Sequence, residues 1–167
     1  MRVFKTVIAF LLCTTALSQA LAADTSEPGG PLDICIAAVL NDRPGILTGW
    51  RQAGGGPQPP YAISVLVKDG KMGETNCDPA KPEKFEFKSK TGLYRYEMYD
   101  RAVFPEGRAR AAAPQIFVGP AKILGMELVV SFTGKPQYKY QMILPGGNIA
   151  TVELDASIGR LIKAVVN

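Results

Sequence analysis

An internal repeat constrains the fold of this chain more than any other feature of its sequence. The segment from Tyr61 to Pro79 can be laid over the segment from Tyr138 to Ala156 without a gap, so that Tyr61 is aligned with Tyr138. In each segment a tyrosine opens an alternating strand, a glycine-containing turn follows, and a second strand leads to an aspartate. Few residues are identical, so a chance likeness between two hairpins is the alternative. The repeat predicts two similar halves.

The repeat extends to both sides of the hairpins. Apolar residues at i, i+3, i+4, i+7 and i+8 predict an amphipathic helix over Leu32–Leu40, which Pro44-Gly45 ends. The same alignment places a second stripe over Ala109–Phe117, where Pro114 either breaks the helix or begins it. One strand is predicted before each hairpin and one after it: Ile46–Arg51 and Phe85–Phe87 in the first half, Leu124–Phe132 and Leu161–Val166 in the second.

The predicted fold class is therefore α+β, with two tandem units that each pack a helix on a small antiparallel sheet of four strands. The first unit spans 31–87, a linker spans 88–108, and the second unit spans 109–167. Period-2 alternation selects the inner face of the second sheet. The residues predicted on it are Tyr138, Tyr140, Met142 and Leu144 on one strand and Ala150, Val152 and Leu154 on the next.

Residues 1–22 have the pattern of a secretory signal peptide. Arg2 and Lys5 form a basic head, an apolar run follows, and Ala20-Leu21-Ala22 forms a small-x-small cleavage site before Ala23. The apolar run is shorter than the roughly 20 residues that span a bilayer, although a retained anchor is the alternative. We therefore expect cleavage near Ala22-Ala23, a periplasmic or secreted protein, and no stable membrane anchor.

Removal of the predicted signal peptide would lower the net charge of the chain. The chain has 19 Lys and Arg against 15 Asp and Glu, and two of the basic residues lie in the predicted signal. The exported part therefore carries a net charge of about +2, which gives little reason to expect nucleic acid or anionic lipid as a partner.

Cys35 and Cys77 are the cysteines that follow the predicted signal. An even count in an exported chain favours a disulfide, and the pair lacks the CxxC spacing of a redox enzyme. Cys77 occupies the repeat position of Leu154, and Cys35 lies on the apolar stripe of the first helix. The register thus predicts a disulfide that links helix to sheet in the first half.

The C-terminal segment of the chain resembles the end of a PepSY domain. The likeness is carried by Tyr138-Lys-Tyr-Gln-Met142, by Gly146-Gly147 and by Val152–Ile162, and it is strongest over 123–166. Asp155-Ala156 and Gly159 match the family ending, whereas Gly146 replaces the usual turn aspartate and Ile158 the usual threonine. The first half is more divergent: Tyr61, Asp69-Gly70 and Asp78-Pro79 fit, and no glycine follows at the position of Gly159.

The resemblance implies a small module of the kind found in peptidase propeptides and bacterial envelope proteins. Such modules bind, and in some cases inhibit, a partner protein. The matching motifs are turn residues, which identify a fold better than a function.

The residues themselves indicate no catalytic site. The chain has no histidine, which removes the commonest general base and most zinc and haem sites. Gly54-Gly55-Gly56 and Gly146-Gly147 lack the Lys-Ser/Thr of a phosphate loop. Asp78 and Asp155 are interpreted as turn residues rather than as paired acids or calcium ligands. We predict no enzyme activity, no metal and no cofactor.

Five residues are candidates for contact with a partner. In the ungapped alignment Trp50 is aligned with Glu127, which is predicted to face away from the core. Trp50 and Arg51 would therefore form an exposed pair. The alternative is that Trp50 packs under the following loop or between the units. Tyr94, Tyr96 and Tyr99 alternate with charged residues, which suits a contact surface or an interdomain strand.

The predicted function is that of an exported, non-enzymatic, PepSY-like module that binds another extracytoplasmic protein, with modulation or inhibition of a peptidase as the implied activity. Two alternatives stay open. One is a structural or assembly factor of the cell envelope, and the other is a small-ligand binder that uses the cleft between the units.

Overall fold

The fold is an eight-stranded antiparallel sheet with short helices. It is seen in a computed structural model that describes residues 29–55, 59–84, 86–90, 92 and 94–167. The predicted signal peptide lies outside these residues. The helices are α1 (Pro31–Asp42), α2 (Tyr96–Tyr99) and α3 (Glu106–Ala112), which continues into a 3₁₀ turn (Ala113–Ile116). The strands are β1 (Ile46–Gln52), β2 (Tyr61–Leu66), β3 (Met72–Cys77), β4 (Lys88–Lys90), β5 (Lys122–Val130), β6 (Pro136–Ile143), β7 (Ile149–Asp155) and β8 (Leu161–Val166).

The strand order β4-β3-β2-β1-β5-β6-β7-β8 overturns the predicted division into two tandem units with separate sheets. β1 pairs antiparallel with β5, with Trp50 opposite Met126 at the centre, so all the strands belong to one sheet. In a separate unit β1 and β5 would each be an exposed edge, and pairing them satisfies their backbone groups. The prediction of two small sheets is wrong, while an α+β protein in the broad sense is compatible with the structure.

The helix of the second half is broken next to Pro114, which is one of the two outcomes that the sequence left open. The α-helical part of α3 ends at Ala112, and Pro114 lies at the start of the 3₁₀ turn that follows. Proline lacks the N–H that an α-helix requires at an interior position, so a regular helix over Ala109–Phe117 cannot form.

The last strand of the first half is displaced from its predicted position at Phe85–Phe87. Phe85 lies outside the described residues, and β4 begins only at Lys88, inside the predicted linker. The Phe87 ring packs over β3 at Gly73, and pairing with β3 starts after it, with Ser89 opposite Gly73. The sequence predicted a strand at Phe85–Phe87, whereas Phe87 packs on β3 from a position just before β4.

The two hairpins share one register. Tyr61 lies opposite Cys77 in the pair β2–β3, and Tyr138 lies opposite Leu154 in the pair β6–β7, so the aligned residues of the repeat have aligned partners. β1 and β5 depart from the alignment by one position. Trp50 lies opposite Ile63, whereas Tyr140, which is aligned with Ile63, lies opposite Met126 and not opposite Glu127.

The one-position difference decides where Trp50 points. A slip of one position in a strand moves every side chain to the opposite face of the sheet. The ungapped alignment placed Trp50 with the outward-facing Glu127, whereas the structure places it with the inward-facing Met126, and Trp50 is only 2% exposed. An exposed Trp50 is therefore excluded in this structure, and its side chain packs where the two halves of the sheet join.

Helices α1 and α3 cover one face of the sheet and form the core with it. The core includes Leu32 and Val39 of α1, Ala109 of α3, and the inward-facing positions of the strands, among them Tyr140 and Val152. The predicted inner face of β6 and β7 is buried over Tyr138, Tyr140, Met142, Ala150, Val152 and Leu154, and Leu144 is half-buried beyond the end of β6. Among the described residues no helix is long and apolar enough to cross a membrane.

Cys35 and Cys77 form the predicted disulfide. It joins α1 to β3 with a Cα–Cα distance of 5.7 Å, and both cysteines are fully buried. The bond therefore links helix to sheet, as the register predicted.

Leu154 offers a direct test of the register. Its side chain is 2% exposed and lies opposite Tyr138, so Leu154→Ala is expected to lower the free energy of unfolding by about 2–3 kcal/mol through lost burial and a residual cavity. Urea unfolding followed by circular dichroism measures the loss. Glu153→Ala, one position along on the opposite face, is the matched control and should change stability by less than about 0.5 kcal/mol. Equal effects of the two substitutions would contradict the register.

Candidate functional site

The face of the sheet that α1 and α3 leave uncovered carries a wide groove of about 740 Å³ across the central strands. We call it the open-face groove. Its lining includes polar and charged side chains from both halves of the sheet together with two tyrosines of the segment that joins them. They are Arg51, Ser64, Glu74, Lys90, Tyr94, Tyr99, Glu127, Lys139, Gln141 and Thr151.

Two glycines form the floor of the groove where β1 meets β5. A Cβ on Gly125 would lie 2.8 Å from the Trp50 carbonyl oxygen, and one on Gly49 would lie 3.1 Å from that of Met126. The close approach of the two strands therefore leaves little room for a side chain at Gly49 and Gly125. As a result the centre of the open face is a depression rather than a ridge.

Tyr94 and Tyr99 lie next to each other in the lining of the groove. The rings of Tyr94 and Tyr99 meet edge to face, with centroids 6.4 Å apart, a favourable aromatic arrangement. The Tyr94 backbone N–H donates to the Gly70 carbonyl at 3.3 Å, which ties the segment to the β2–β3 turn. Burial, followed by the nearby Tyr94 and Glu127, raises the pKa of Tyr99, so its phenol stays neutral at physiological pH.

A line of charges crosses the first half of the open face, from β1 to β4. The Glu74 carboxylate accepts from Lys90 Nζ at 2.6 Å, from Arg51 Nη2 at 3.3 Å and from Ser64 Oγ at 3.3 Å. Lys90, then Arg51 and Ser64, lower the pKa of Glu74 against a smaller opposing effect of burial. Glu74 is thus held ionised between two cations, and the group presents a net positive charge to a partner.

The structure brings together three of the five predicted contact residues. Arg51, Tyr94 and Tyr99 all line the open-face groove. Trp50 also borders it, but its indole points to the opposite face, where Nε1 donates to Glu106 Oε1 at 3.0 Å. Tyr96 is half-buried in α2 and is not among the lining residues.

A buried charged cluster that was not predicted from the sequence lies beneath the helices. We call it the buried cluster, and its residues are Asp33, Trp50, Glu106, Arg110 and Tyr140. Arg110 is 2% exposed and donates to the Asp33 carboxylate, while its Nε lies 3.8 Å from Glu106 Oε2. Its guanidinium lies over the Trp50 ring at 6.0 Å, within cation–π range. The Tyr140 hydroxyl donates to Glu106.

A signal for this cluster was present in the repeat. Asp33 and Arg110 are aligned with each other in the two halves and have opposite charges. In a sheet whose halves meet antiparallel at their centre, equivalent helix residues can meet as well. The single sheet had to be known before this pairing could be predicted.

The protonation of Glu106 gives a testable pH dependence. Burial raises the pKa of Glu106 even though Arg110 opposes the shift. Since the folded-state pKa is the higher one, the stabilising contribution of Glu106 is complete below its unfolded-state pKa of about 4.3 and is lost as pH rises through the folded-state pKa. Relative to Glu106→Gln, the wild type should therefore lose stability when the pH is raised from about 4 to 7, as measured by urea unfolding.

Glu74→Gln is the control of opposite sign. The pKa of Glu74 is lowered in the folded protein, so its contribution is present above its unfolded-state pKa and is lost as pH falls through the folded-state value. Relative to Glu74→Gln, the wild type should gain stability over the same rise in pH. The same pH trend in both comparisons would contradict the assignment of Glu106 as the buried acid.

The geometry of the described residues assembles no catalytic constellation. Within residues 29–55, 59–84, 86–90, 92 and 94–167, no three His, Cys, Asp or Glu side chains gather where they could hold a metal ion. On the open face Arg51 and Lys90 are both paired with Glu74, which suits binding of a surface rather than activation of a nucleophile.

Comparison with known proteins identifies a fold neighbour and no family. No protein-family model matches the chain, and no curated protein matches it by sequence. Among solved structures the chain is similar to a "putative lipoprotein" from Clostridium difficile 630, with a TM-score of 0.52 and 12% sequence identity over 87% of this chain and 99% of the other. At this identity the likeness shows a shared fold alone.

Proposed function

We propose that this protein is an exported, non-enzymatic binding module that contacts another extracytoplasmic protein through the open face of its sheet. The observation that supports this best is the open-face groove, where Arg51, Tyr94 and Tyr99 lie around a polar floor. Tyrosine and arginine are the side chains that most often dominate protein interfaces.

The compartment is inferred from two observations that agree with the predicted signal peptide. A buried disulfide forms and persists in oxidising compartments and is rare in the cytosol. The fold neighbour from Clostridium difficile 630 is described as a lipoprotein, a class of protein located outside the cytoplasm. Both support an extracytoplasmic protein.

The shape of the groove favours a protein over a small molecule. Sites for small molecules enclose most of the ligand in a largely apolar pocket. Here the groove is open along the sheet, and ionised side chains from β1, β3, β4, β5 and β6 line it. A loop or an extended segment of a partner would contact such a surface along its length.

The PepSY resemblance supplies the class of partner to test first. It implies a peptidase, and the mechanism would be steric: the module occupies the substrate groove of the enzyme. In this proposal Tyr94 and Tyr99 provide apolar contact area, and the positive group around Glu74 orients the partner.

The experiment is an affinity capture from extracytoplasmic extract, with the disulfide-bonded protein as bait, followed by titration of the purified partner. Tyr99→Ala and Arg51→Ala should each weaken binding by about tenfold or more. Phe132→Ala and Arg160→Ala remove an aromatic and a basic side chain from exposed positions outside the groove lining, and should leave the affinity unchanged. The captured peptidase would then be assayed with and without the protein.

Other results lead to other conclusions. Binding that both groove variants retain would show that the open face is not the contact surface. Recovery of wall or outer-membrane components without effect on a peptidase would favour the envelope-assembly alternative. An empty capture, together with a rise in melting temperature on addition of a small molecule, would favour the ligand-binding alternative.

A further inference from the structure

The two edges of the sheet are built differently. β4 is three residues long, and lysines stand on both sides of Ser89. β8 is six residues long and carries one charge, Lys163, among five apolar residues. Within the part of the chain that the structure describes, β7 is the strand that pairs with β8, and the other side of β8 pairs with none.

Natural proteins protect an edge strand by shortness, by lysine or by proline, because its free backbone groups otherwise pair with another chain. β4 is short and carries two lysines, whereas β8 is twice as long and has one lysine and a bulge near its start among apolar residues. Three apolar side chains of β8 are also substantially exposed: Leu161 at 46%, Ile162 at 43% and Val166 at 51%. The long apolar edge is the expected form of a strand that pairs with a partner.

The pairing with β7 identifies which backbone groups of β8 face outward. The Asn167 N–H donates to the Ile149 carbonyl of β7 at 2.8 Å, so Asn167 faces β7. Residues at alternate positions share a direction, hence Lys163 and Val165 face β7 as well. The backbone groups of Ala164 and Val166 therefore face away from the sheet, while Ile162 lies at a register shift between the pairs Lys163–Glu153 and Leu161–Leu154, where the alternation is interrupted.

We propose that two copies of this chain pair through β8, antiparallel and about a two-fold axis at Ala164. In this register Ala164 lies opposite Ala164 of the second copy, and Ile162 lies opposite its Val166. Since the backbone of Ala164 faces outward, the central pair of alanines exchanges two hydrogen bonds. The two sheets would become one continuous sheet.

The side chains are self-complementary in this register. On one face Ile162 meets Val166 of the second copy, and on the other Lys163 meets Val165, so apolar groups are covered and the two lysines are offset from each other. An axis through Lys163 would place like charges directly opposite, which is unfavourable. An axis through Val165 would leave the exposed Ile162 without a partner within the strand.

This self-complementarity is what a two-fold contact between identical chains requires, and it favours a second copy over an unrelated protein. The pairing would also repeat a contact that the fold already uses. β1 and β5 join the two halves of the sheet antiparallel about the pair Trp50 and Met126.

Sedimentation equilibrium over a range of concentrations tests the proposal with the exported, disulfide-bonded chain. We expect the wild type to be a dimer. Ala164→Pro removes an outward N–H without touching a bond to β7, and Ile162→Lys adds a charge at an apolar pair. Each change occurs twice in the dimer, so each should raise the dissociation constant by at least about tenfold. Ser89→Lys, on the opposite edge, should have no effect.

A monomeric wild type would overturn the proposal. This holds even if β8 then proves to bind a different protein. A dimer that both β8 variants preserve would overturn it as well. Circular dichroism and thermal unfolding of each variant distinguish dissociation from unfolding. Groove variants such as Tyr99→Ala should remain dimeric, so this test and that of the proposed function fail independently.

A cysteine at the axis tests the register itself. Residues opposed in a hydrogen-bonded antiparallel pair have Cα atoms about 5.5 Å apart, within the range that a disulfide spans. Ala164→Cys should therefore give a covalent dimer on mild oxidation, and Ser89→Cys should not. Failure of Ala164→Cys to cross-link a protein that sediments as a dimer would exclude the axis at Ala164.

Discussion

Removal of the disulfide is expected to lower the free energy of unfolding by about 4 kcal/mol. The bond connects residues that are 42 positions apart, and opening a loop of that size restores about this much conformational entropy to the unfolded chain. Both cysteines are fully buried between α1 and β3. In a protein of this length the loss corresponds to a melting temperature lower by roughly 8–16 °C.

The variant to measure is Cys35→Ala with Cys77→Ala, by thermal and urea unfolding monitored by circular dichroism. Wild-type protein unfolded in the presence of a reductant is the second arm, since it removes the bond and retains the sulfur atoms. If the two arms agree, the loss comes from the bond itself. A decrease of less than about 1 kcal/mol in both would mean that the unfolded state retains enough structure to cancel the effect of the link.

Arg110→Met is expected to cost about 3–5 kcal/mol at neutral pH. The substitution leaves Glu106 buried without its nearest cation, and it removes the charge that also neutralises Asp33. Methionine has a similar length and keeps most of the packing against Trp50, so the loss reports the charge rather than a cavity.

The double variant Arg110→Met with Glu106→Gln is the control. It removes the buried acid together with its partner, so it should be clearly more stable than Arg110→Met alone. The deficit of Arg110→Met should also shrink as the pH falls, because Glu106 then becomes protonated and its pKa is already raised by burial. Equal stability of the single and double variants would show that Arg110 and Glu106 are not energetically coupled.

The candidate site could be predicted in part. Tyr94 and Tyr99 were chosen from the sequence because aromatic and charged residues alternate there, and Arg51 because it follows Trp50, which was predicted to be exposed. The structure brings all three to the open-face groove. The lining from the second half, including Glu127 and Lys139, was not predicted to lie beside them. That proximity depends on the pairing of β1 with β5, for which the sequence offers no local signal.

Trp50 shows that an alignment error of one position is enough to reverse the predicted exposure of a residue. The connection from β1 to β2 is one residue shorter than that from β5 to β6, since Gln52 lies opposite Tyr61 and Leu128 lies opposite Tyr138. This difference shifts the repeat alignment by one position and moves the indole from the outer face to the core. An ungapped alignment cannot reveal a difference of one residue in a loop. The buried cluster was missed for a related reason, since Asp33 and Arg110 meet only when the two halves share one sheet.

By itself the sequence determined the hairpins, their shared register and the disulfide. These features follow from alternation of apolar residues, turn residues and the position of two cysteines, all of which act over short distances along the chain. The single sheet formed by the two halves, and the burial of Trp50 together with Arg110, became evident only from the fold. Those outcomes depend on backbone groups and charges from distant segments finding partners, and local sequence patterns carry no information about which edge pairs with which.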